Sequence, residues 1–193
     1  MMLAARTFAT KEFPEDYENP RKIPRVPFIE NVEEYVKARG ITGETIMRQL
    51  QQQHSKYMLM ESKLSQSKTT LSGKIREINK TIDTVKFLQR KLKDENTGIE
   101  TNFGLTESVF CSAKCPPQDS IHLWLGANVM CEYSFVDAIE MLEKNLAAAK
   151  ENLAATLEDL SWLKDQRVIL EVNVARMYNH DVVTRREKGA DQA

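Results

Sequence analysis

LQQQHSKYMLMESKLSQSKTTLSGKIREINKTIDTVKFLQRKL (residues 50–92) repeats an apolar residue at every seventh position. The repeated residues are Leu50, Tyr57, Leu64, Leu71, Ile78, Val85 and Leu92. A sustained apolar heptad is typical of a helix that packs lengthwise against another helix. Thr42 is a suitable N-cap and Gly98 a suitable stop, so the pattern predicts a coiled-coil helix over residues 44–97.

A second heptad stripe follows near the other end of the chain. One set of its positions includes Ile139, Leu146, Leu153, Leu160 and Val174, and the other Leu142, Leu163, Leu170 and Met177. Ser134 and Asp137 form a capping-box-like start, which predicts a second helix over residues 134–187. Because two helices of similar length joined by a compact insert can fold back on each other, we expect an antiparallel intrachain coiled coil.

The insert, residues 98–133, loses the heptads and alternates like β-strands, with prolines and glycines between the runs. We predict two β-hairpins, and since such small hairpins are seldom stable alone, we expect other chains to supply more sheet. The apolar residues predicted to serve subunit assembly are Val109, Phe110, Leu123, Trp124, Leu125, Val129 and Met130. The fold class is thus mainly α with a small β insert.

Three flanking segments complete the predicted organisation. Residues 1–28 hold four of the chain's 6 prolines among charged residues, so a disordered N-terminal tail is expected. For residues 29–43 we predict a short helix that ends at Gly40, followed by a linker. For residues 188–193 we predict a disordered tail.

Composition and residue spacing give no indication of a catalytic, metal-binding or nucleic-acid-binding site. The formal net charge of −1 offers no general attraction for nucleic acid, and no long apolar run predicts a membrane span. Cys111, Cys115, Cys131 and His122 have the wrong spacing for a zinc knuckle. We therefore expect no catalytic residue, no cofactor and no metal, and an odd number of cysteines favours a reducing compartment such as the cytoplasm.

Eight apolar residues near the predicted free ends of the two helices form a candidate contact surface. They are Ile46, Leu50, Tyr57, Met58, Met60, Val174, Met177 and Tyr178. Methionine and tyrosine suit promiscuous apolar contact. Judged from periodicity alone, ordinary packing between the two helices is the better explanation of these residues.

Several motifs resemble α-class prefoldin subunits. The clearest is WLGANVM-x-EY at Trp124–Tyr133, accompanied by VFCSAKCPP at Val109–Pro117 and by MLEKNL at Met141–Leu146. GET at residues 43–45 and EVNVARMYN at residues 171–179 match the same family, and the resemblance covers residues 27–186. One departure is the segment GKIR at residues 73–76, where the family pattern would place a proline.

The resemblance implies a partner set and a role. Prefoldins are heterohexamers of two α-class and four β-class subunits, whose hairpins build a double β-barrel from which coiled coils extend. Their distal tips bind unfolded actin, tubulin and other clients, which pass to the cytosolic chaperonin without ATP use. The resemblance favours client contact at the eight tip residues and a cytoplasmic location, with a nuclear pool left open. A non-catalytic coiled-coil scaffold or tether is the alternative function.

Overall fold

The computed structural model describes residues 17–95 and 98–190. In chain order they form α1 (Val32–Arg39), α2 (Gly43–Leu88), a π-helical turn (Gln89–Asp94), β1 (Ile99–Gly104), β2 (Phe110–Cys115), β3 (Ser120–Gly126), β4 (Val129–Ser134) and α3 (Phe135–Ala190). The protein is therefore mostly helical with two small antiparallel hairpins, which is the predicted fold class.

The short helix α1 has a clear signal at each end. The Asn31 side chain accepts hydrogen bonds from the backbone N–H groups of Glu33 and Glu34. At the other end Gly40 has φ 60°, and its N–H bonds back to the carbonyls of Val36 and Lys37. A residue in the left-handed backbone conformation ends a helix with the least strain when it has no Cβ, so Gly40 ends α1 there.

The helix α2 is regular only as far as Leu88, although the sequence predicts a single helix to residue 97. The chain then widens into the π-helical turn, which ends where the Glu95 N–H bonds to the Arg90 carbonyl at 2.9 Å. Residues 96–97 lie outside the described residues. Heptad spacing does not separate an α-helix from a wider turn at its end, which is why the sequence pattern missed the change.

The described chain divides into two compact units. The first contains residues 17–69 and 154–190, in which the beginning of α2 packs antiparallel to the end of α3. Arg167 pairs with Glu61 at 2.8 Å and His54 approaches Glu171 at 3.4 Å, so residue numbers rise on one helix as they fall on the other. The core of this unit includes Trp162, Leu163, Leu170, Ile46 and Met177.

The first unit also contains an element that the sequence prediction missed. Residues 17–28, predicted to be part of a disordered tail, lie against α3, with Ile23 and Val26 buried in the core. The prediction was wrong for these residues because a proline-rich segment can take its order from a neighbouring helix without any secondary structure of its own. Residues 1–16 lie outside the described residues.

The second unit, residues 70–153, holds the two hairpins. In β1–β2 the register pairs Ile99 with Cys115 and Gly104 with Phe110. In β3–β4 it pairs Ser120 with Ser134 and shifts between Trp124 and Gly126. Both turn residues, Ala127 and Asn128, have positive φ (46° and 61°), the backbone of a tight hairpin turn.

One face of each hairpin covers the helices of the second unit. Ile99 and Cys115 from the first hairpin, and Ile121, Leu123 and Tyr133 from the second, pack on a core formed by residues of α2, the π-helical turn and α3. That core contains Ile82, Val85, Leu92, Phe135, Ala138 and Leu142. The opposite faces are left outward, as strand alternation requires.

Candidate functional site

The most elaborate surface of the first unit is a groove along α3 that holds residues 17–31, here named the N-terminal strap. Ile23, Val26 and Ile29 are buried at intervals of three residues while the residues between them are exposed. A three-residue repeat is the period of a polyproline II chain, and Pro24 and Pro27 favour that backbone. The strap therefore presents one apolar edge to the helices.

A row of polar side chains on α3 receives the strap. The Gln166 Oε1 accepts from the Val26 N–H at 2.7 Å, and the Asn173 Oδ1 accepts from the Ile29 N–H at 3.0 Å. The Asn173 Nδ2 also donates to the Pro27 carbonyl at 2.8 Å. Both amide side chains are almost fully buried, Gln166 2% exposed and Asn173 0% exposed, so the strap satisfies groups that would otherwise be costly to bury.

The spacing of the two elements explains why they match. Seven residues of α-helix advance about 10.5 Å, and three residues of polyproline II chain advance about 9 Å. Gln166 and Asn173 are one heptad apart on α3, and their partners Val26 and Ile29 are one triplet apart on the strap. The strap thus runs parallel to α3, and these two amide side chains, one heptad apart, each accept from one strap N–H group.

Charged contacts anchor the start of the strap. The Arg21 guanidinium donates to Asp159 Oδ2 at 2.5 Å and to Glu158 Oε2 at 2.9 Å, while Asn19 Nδ2 donates to Asp159 Oδ1 at 2.7 Å. The Glu158 carboxylate, followed by that of Asp159, raises the pKa of Arg21 above its ordinary value. The Tyr17 O–H donates to Glu158 Oε1 at 2.9 Å, which closes this charged cluster.

Two aromatic residues of the helices donate to strap carbonyls. The Tyr57 O–H donates to the Pro24 carbonyl at 2.6 Å, and the Trp162 Nε1–H donates to the Ile23 carbonyl at 3.3 Å. Burial raises the pKa of Tyr57 above its ordinary value. Both α2 and α3 therefore bind the main chain of the strap.

The predicted contact residues of the helix ends divide by burial. Ile46, Leu50, Tyr57 and Met177 lie in the core of the first unit, and Met60 and Val174 are half-buried against it. Met58 is 51% exposed and Tyr178 61% exposed. Of the eight residues, therefore, Met58 and Tyr178 offer most of their side chains to a partner in this conformation.

The predicted assembly residues are mostly outward on the hairpins. Phe110 is 63% exposed and Trp124 62% exposed, and Val109, Leu125, Val129 and Met130 are exposed as well. Trp124 pairs directly with Met130 across the β3–β4 ladder, so the two form one apolar patch. Leu123 differs, since it is half-buried on the core of the second unit.

The thiols, the possible metal ligands and the apolarity of the helices can be described for the same residues. Cys111, Cys115 and Cys131 are free thiols. Residues 17–95 and 98–190 contain no cluster of three or more His, Cys, Asp or Glu residues placed to hold a metal ion. No helix among them is long and apolar enough to cross a membrane.

Sequence reasoning missed the α3 residues that hold the strap. Asp159, Gln166 and Asn173 recur at heptad spacing beside the apolar stripe, and they are buried although polar. The available signal was the coincidence of this polar heptad with apolar residues at positions 23, 26 and 29. Neither pattern is informative alone, because polar heptad positions usually face water.

Comparison with known proteins identifies a family model and several relatives that match most of the chain. Residues 57–180 match the family model described as "Prefoldin subunit". Prefoldin subunit 3 of Mus musculus and that of Homo sapiens are each 44% identical over 164 residues, covering 84% of this chain and 83% of theirs. A probable prefoldin subunit 3 of Dictyostelium discoideum is 38% identical over 175 residues, covering 91% of this chain and 87% of its own.

Among solved structures, filamentous PFD from Methanocaldococcus jannaschii overlaps 68% of this chain and 95% of its own, with a TM-score of 0.41 and 16% identity. The family model and the eukaryotic relatives agree with each other over most of the sequence. The chain therefore belongs to the prefoldin family and is similar to eukaryotic prefoldin subunit 3.

Proposed function

We propose that the chain is a subunit of an ATP-independent co-chaperone complex that binds unfolded proteins. Its partners would be other prefoldin subunits, two α-class and four β-class in a heterohexamer. Its clients would be actin-like and tubulin-like chains, handed on to the cytosolic chaperonin. The same proposal includes a non-enzymatic role and a cytoplasmic location, and it leaves a nuclear pool open.

The observation that carries the proposal is the outward face of the two hairpins. Phe110 and Trp124 are each more than 60% exposed, on separate two-stranded sheets whose other faces already cover a core. Two-stranded sheets with free edges gain stability when more strands are added. Strands from neighbouring subunits would cover these aromatic residues and pair the free edges.

Client contact is proposed for the exposed apolar residues of the first unit. Met58, Leu59 and Tyr178 are each more than half exposed, and Val172 is 38% exposed. An unfolded client offers apolar segments of varied shape, and flexible methionine and amphipathic tyrosine side chains suit such partners. These residues are better candidates than Ile46, Leu50, Tyr57 and Met177, which are buried in the core of the unit.

The test measures client protection by the assembled complex. The chain is purified with β-class subunits, and suppression of aggregation is followed by light scattering as actin is diluted from denaturant. Met58→Glu/Tyr178→Glu should weaken suppression, because two carboxylates would oppose apolar contact, while the native mass of the complex stays unchanged. Lys63→Glu gives the same change in charge at an exposed position of α2 and should leave suppression intact.

The outcome decides between functions. If the assembled wild-type complex did not suppress aggregation, the co-chaperone proposal would fail and the scaffold alternative would gain. If the double variant suppressed aggregation as well as the wild type, client contact through Met58 and Tyr178 would be wrong.

A further inference from the structure

We propose that the α3 groove filled by the N-terminal strap is a binding site for an extended segment of unfolded protein, with the strap as its intramolecular competitor. This inference rests on the proposed co-chaperone function and adds a site and a regulatory element to it. The ligand class is an extended polypeptide with apolar side chains at about every third position.

The first support is that most of the groove binds main chain rather than side chain. Gln166 and Asn173 contact the N–H groups of Val26 and Ile29 and the carbonyl of Pro27. The Arg176 guanidinium donates to the carbonyls of Ile29 and Glu30 at 3.1 and 3.3 Å. Main-chain groups are common to all polypeptides, so these contacts are available to a ligand of almost any sequence.

The second support is the conformation that the groove selects. The strap is held without hydrogen bonds to a neighbouring strand, with side chains buried at a three-residue period. Polyproline II is a major conformer of unfolded chains, so unfolded proteins sample the required backbone before they bind. Structured proteins rarely present such a segment with its main chain free, which would give the groove selectivity for unfolded partners.

The third support is how contacts are distributed along the strap. Side-chain contacts specific to this sequence are concentrated at residues 17–21, where Tyr17, Asn19 and Arg21 meet Glu158 and Asp159. From residue 23 onward the contacts of the strap include main-chain hydrogen bonds, three buried aliphatic side chains and the Phe28 ring, whose centre lies 4.6 Å from the Arg176 guanidinium carbon. A client can reproduce the second set but not the first, so we expect it to displace residues 23–30.

Displacement of the strap is energetically reasonable. Ordering an extended segment costs backbone entropy at every residue, and this segment has no secondary structure of its own to share that cost. Segments held in this way commonly open at lower free energy than the core on which they lie. A competitor that binds the same groove then shifts the equilibrium toward the open strap.

The direct experiment measures hydrogen exchange at the Val26 and Ile29 amides in the wild-type complex. Reduced, carboxymethylated α-lactalbumin serves as a permanently unfolded probe, and its binding is followed separately by fluorescence anisotropy. If the probe displaces the strap, exchange at both amides should accelerate by about tenfold or more at saturation. If the probe binds and exchange stays unchanged, the shared groove is refuted while the co-chaperone function stands. If the probe does not bind at all, both proposals fail.

A variant pair supplies the second measurement. Val26→Asp/Ile29→Asp places carboxylates in buried sites and should release the strap, whereas Lys22→Asp makes the same charge change at an exposed position. A synthetic peptide of residues 23–31, which spans only the part of the strap that a client should displace, should bind the double variant at least about tenfold more tightly than the wild type, because a competing state lowers apparent affinity. The Lys22→Asp variant should bind it as the wild type does.

Competition completes the test. Carboxymethylated α-lactalbumin should displace the labelled peptide from the double variant, whose fold is checked by far-ultraviolet circular dichroism. Simultaneous binding of peptide and probe would overturn the proposal. So would displacement of the peptide by added β-class subunits but not by the probe, since the groove would then be an assembly contact.

Discussion

At the residue scale, Asn173 has the most demanding position in the first unit. Its side chain is fully buried, and both ends of its amide are used, one by the Ile29 N–H and the other by the Pro27 carbonyl. An apolar residue there would leave strap main-chain groups without partners in a dry environment. The amide therefore fixes the position of the strap along α3.

Asn173→Ala should loosen the strap. The substitution removes the hydrogen-bond partner of the Ile29 N–H and of the Pro27 carbonyl. The free energy required to detach the strap from α3 should therefore fall by about 1–3 kcal/mol. Hydrogen exchange at the Ile29 amide measures that free energy. Asn179→Ala, at an exposed position two residues beyond Met177, is the matched control and should change it by less than about 0.5 kcal/mol. Equal effects of the two substitutions would contradict the role given to Asn173.

Tyr57 should make the strap sensitive to alkaline pH. Burial raises its pKa above the ordinary value of 10.0, so the folded state keeps the phenolic proton that the unfolded state loses. The stability that this provides is present below pH 10.0 and is lost as pH rises through the folded-state pKa. The free energy of unfolding of the wild type, measured by urea denaturation, should therefore fall above that pH.

Tyr57→Phe should reduce this alkaline loss, because phenylalanine fills the same volume but does not ionise. Tyr178→Phe, at a residue that is 61% exposed, is the matched control and should leave the alkaline loss as in the wild type. If Tyr57→Phe kept the full alkaline loss, other groups would have to account for it.

At the scale of elements, two glycines have opposite roles. Gly73 lies inside α2, and a Cβ placed there would meet nothing within 4 Å. Gly40 ends α1 with φ +60°, a conformation that other L-residues adopt at a cost. The first is thus a weak point of a helix, and the second is required by a turn.

Gly73→Ala should raise the free energy of unfolding by about 0.5–1 kcal/mol, because alanine restricts the unfolded chain and fits the helix without a clash. Gly40→Ala should lower it by about 1 kcal/mol or more through strain at positive φ. Urea denaturation of the two variants beside the wild type measures both changes. A stabilised Gly40→Ala variant would show that the α1 end relaxes easily.

These elements also show what sequence patterns reveal. The heptads at Leu50 and Leu163, and the strand alternation around Trp124, depend on local periodicity, so the long helices and both hairpins could be predicted. The strap could not, since its order comes from Gln166 and Asn173, about 140 residues away along the chain. Periodicity alone favoured packing for Ile46 and Leu50, and the structure buries both in a cluster that also contains residues of the strap.

At the scale of the whole molecule, the exposed faces of the two hairpins are the feature that a single chain leaves incomplete. Phe110, Trp124 and Met130 are all exposed on strands whose inward faces already pack on the core of the second unit. Exposed aromatic residues on short two-stranded sheets are typical of surfaces buried by assembly. The isolated chain should therefore self-associate at micromolar concentration and become monodisperse with β-class subunits.

Phe110→Asp/Trp124→Asp should keep the chain out of the complex without unfolding its helices. Two carboxylates on the outward faces would need to be buried by an added strand, and that desolvation is costly without a partner of opposite charge. Native mass spectrometry after co-expression measures incorporation, and circular dichroism at 222 nm checks helix content.

Gln118→Glu/Asn128→Asp adds the same charge in the turns of the same segment, where both residues are exposed and aspartate tolerates the positive φ of position 128. This control should enter the complex normally. If the Phe110→Asp/Trp124→Asp variant also entered at the wild-type yield, the hairpin faces would not be the assembly surface. The exposed residues of the first unit would then be the next place to look for the contact between subunits.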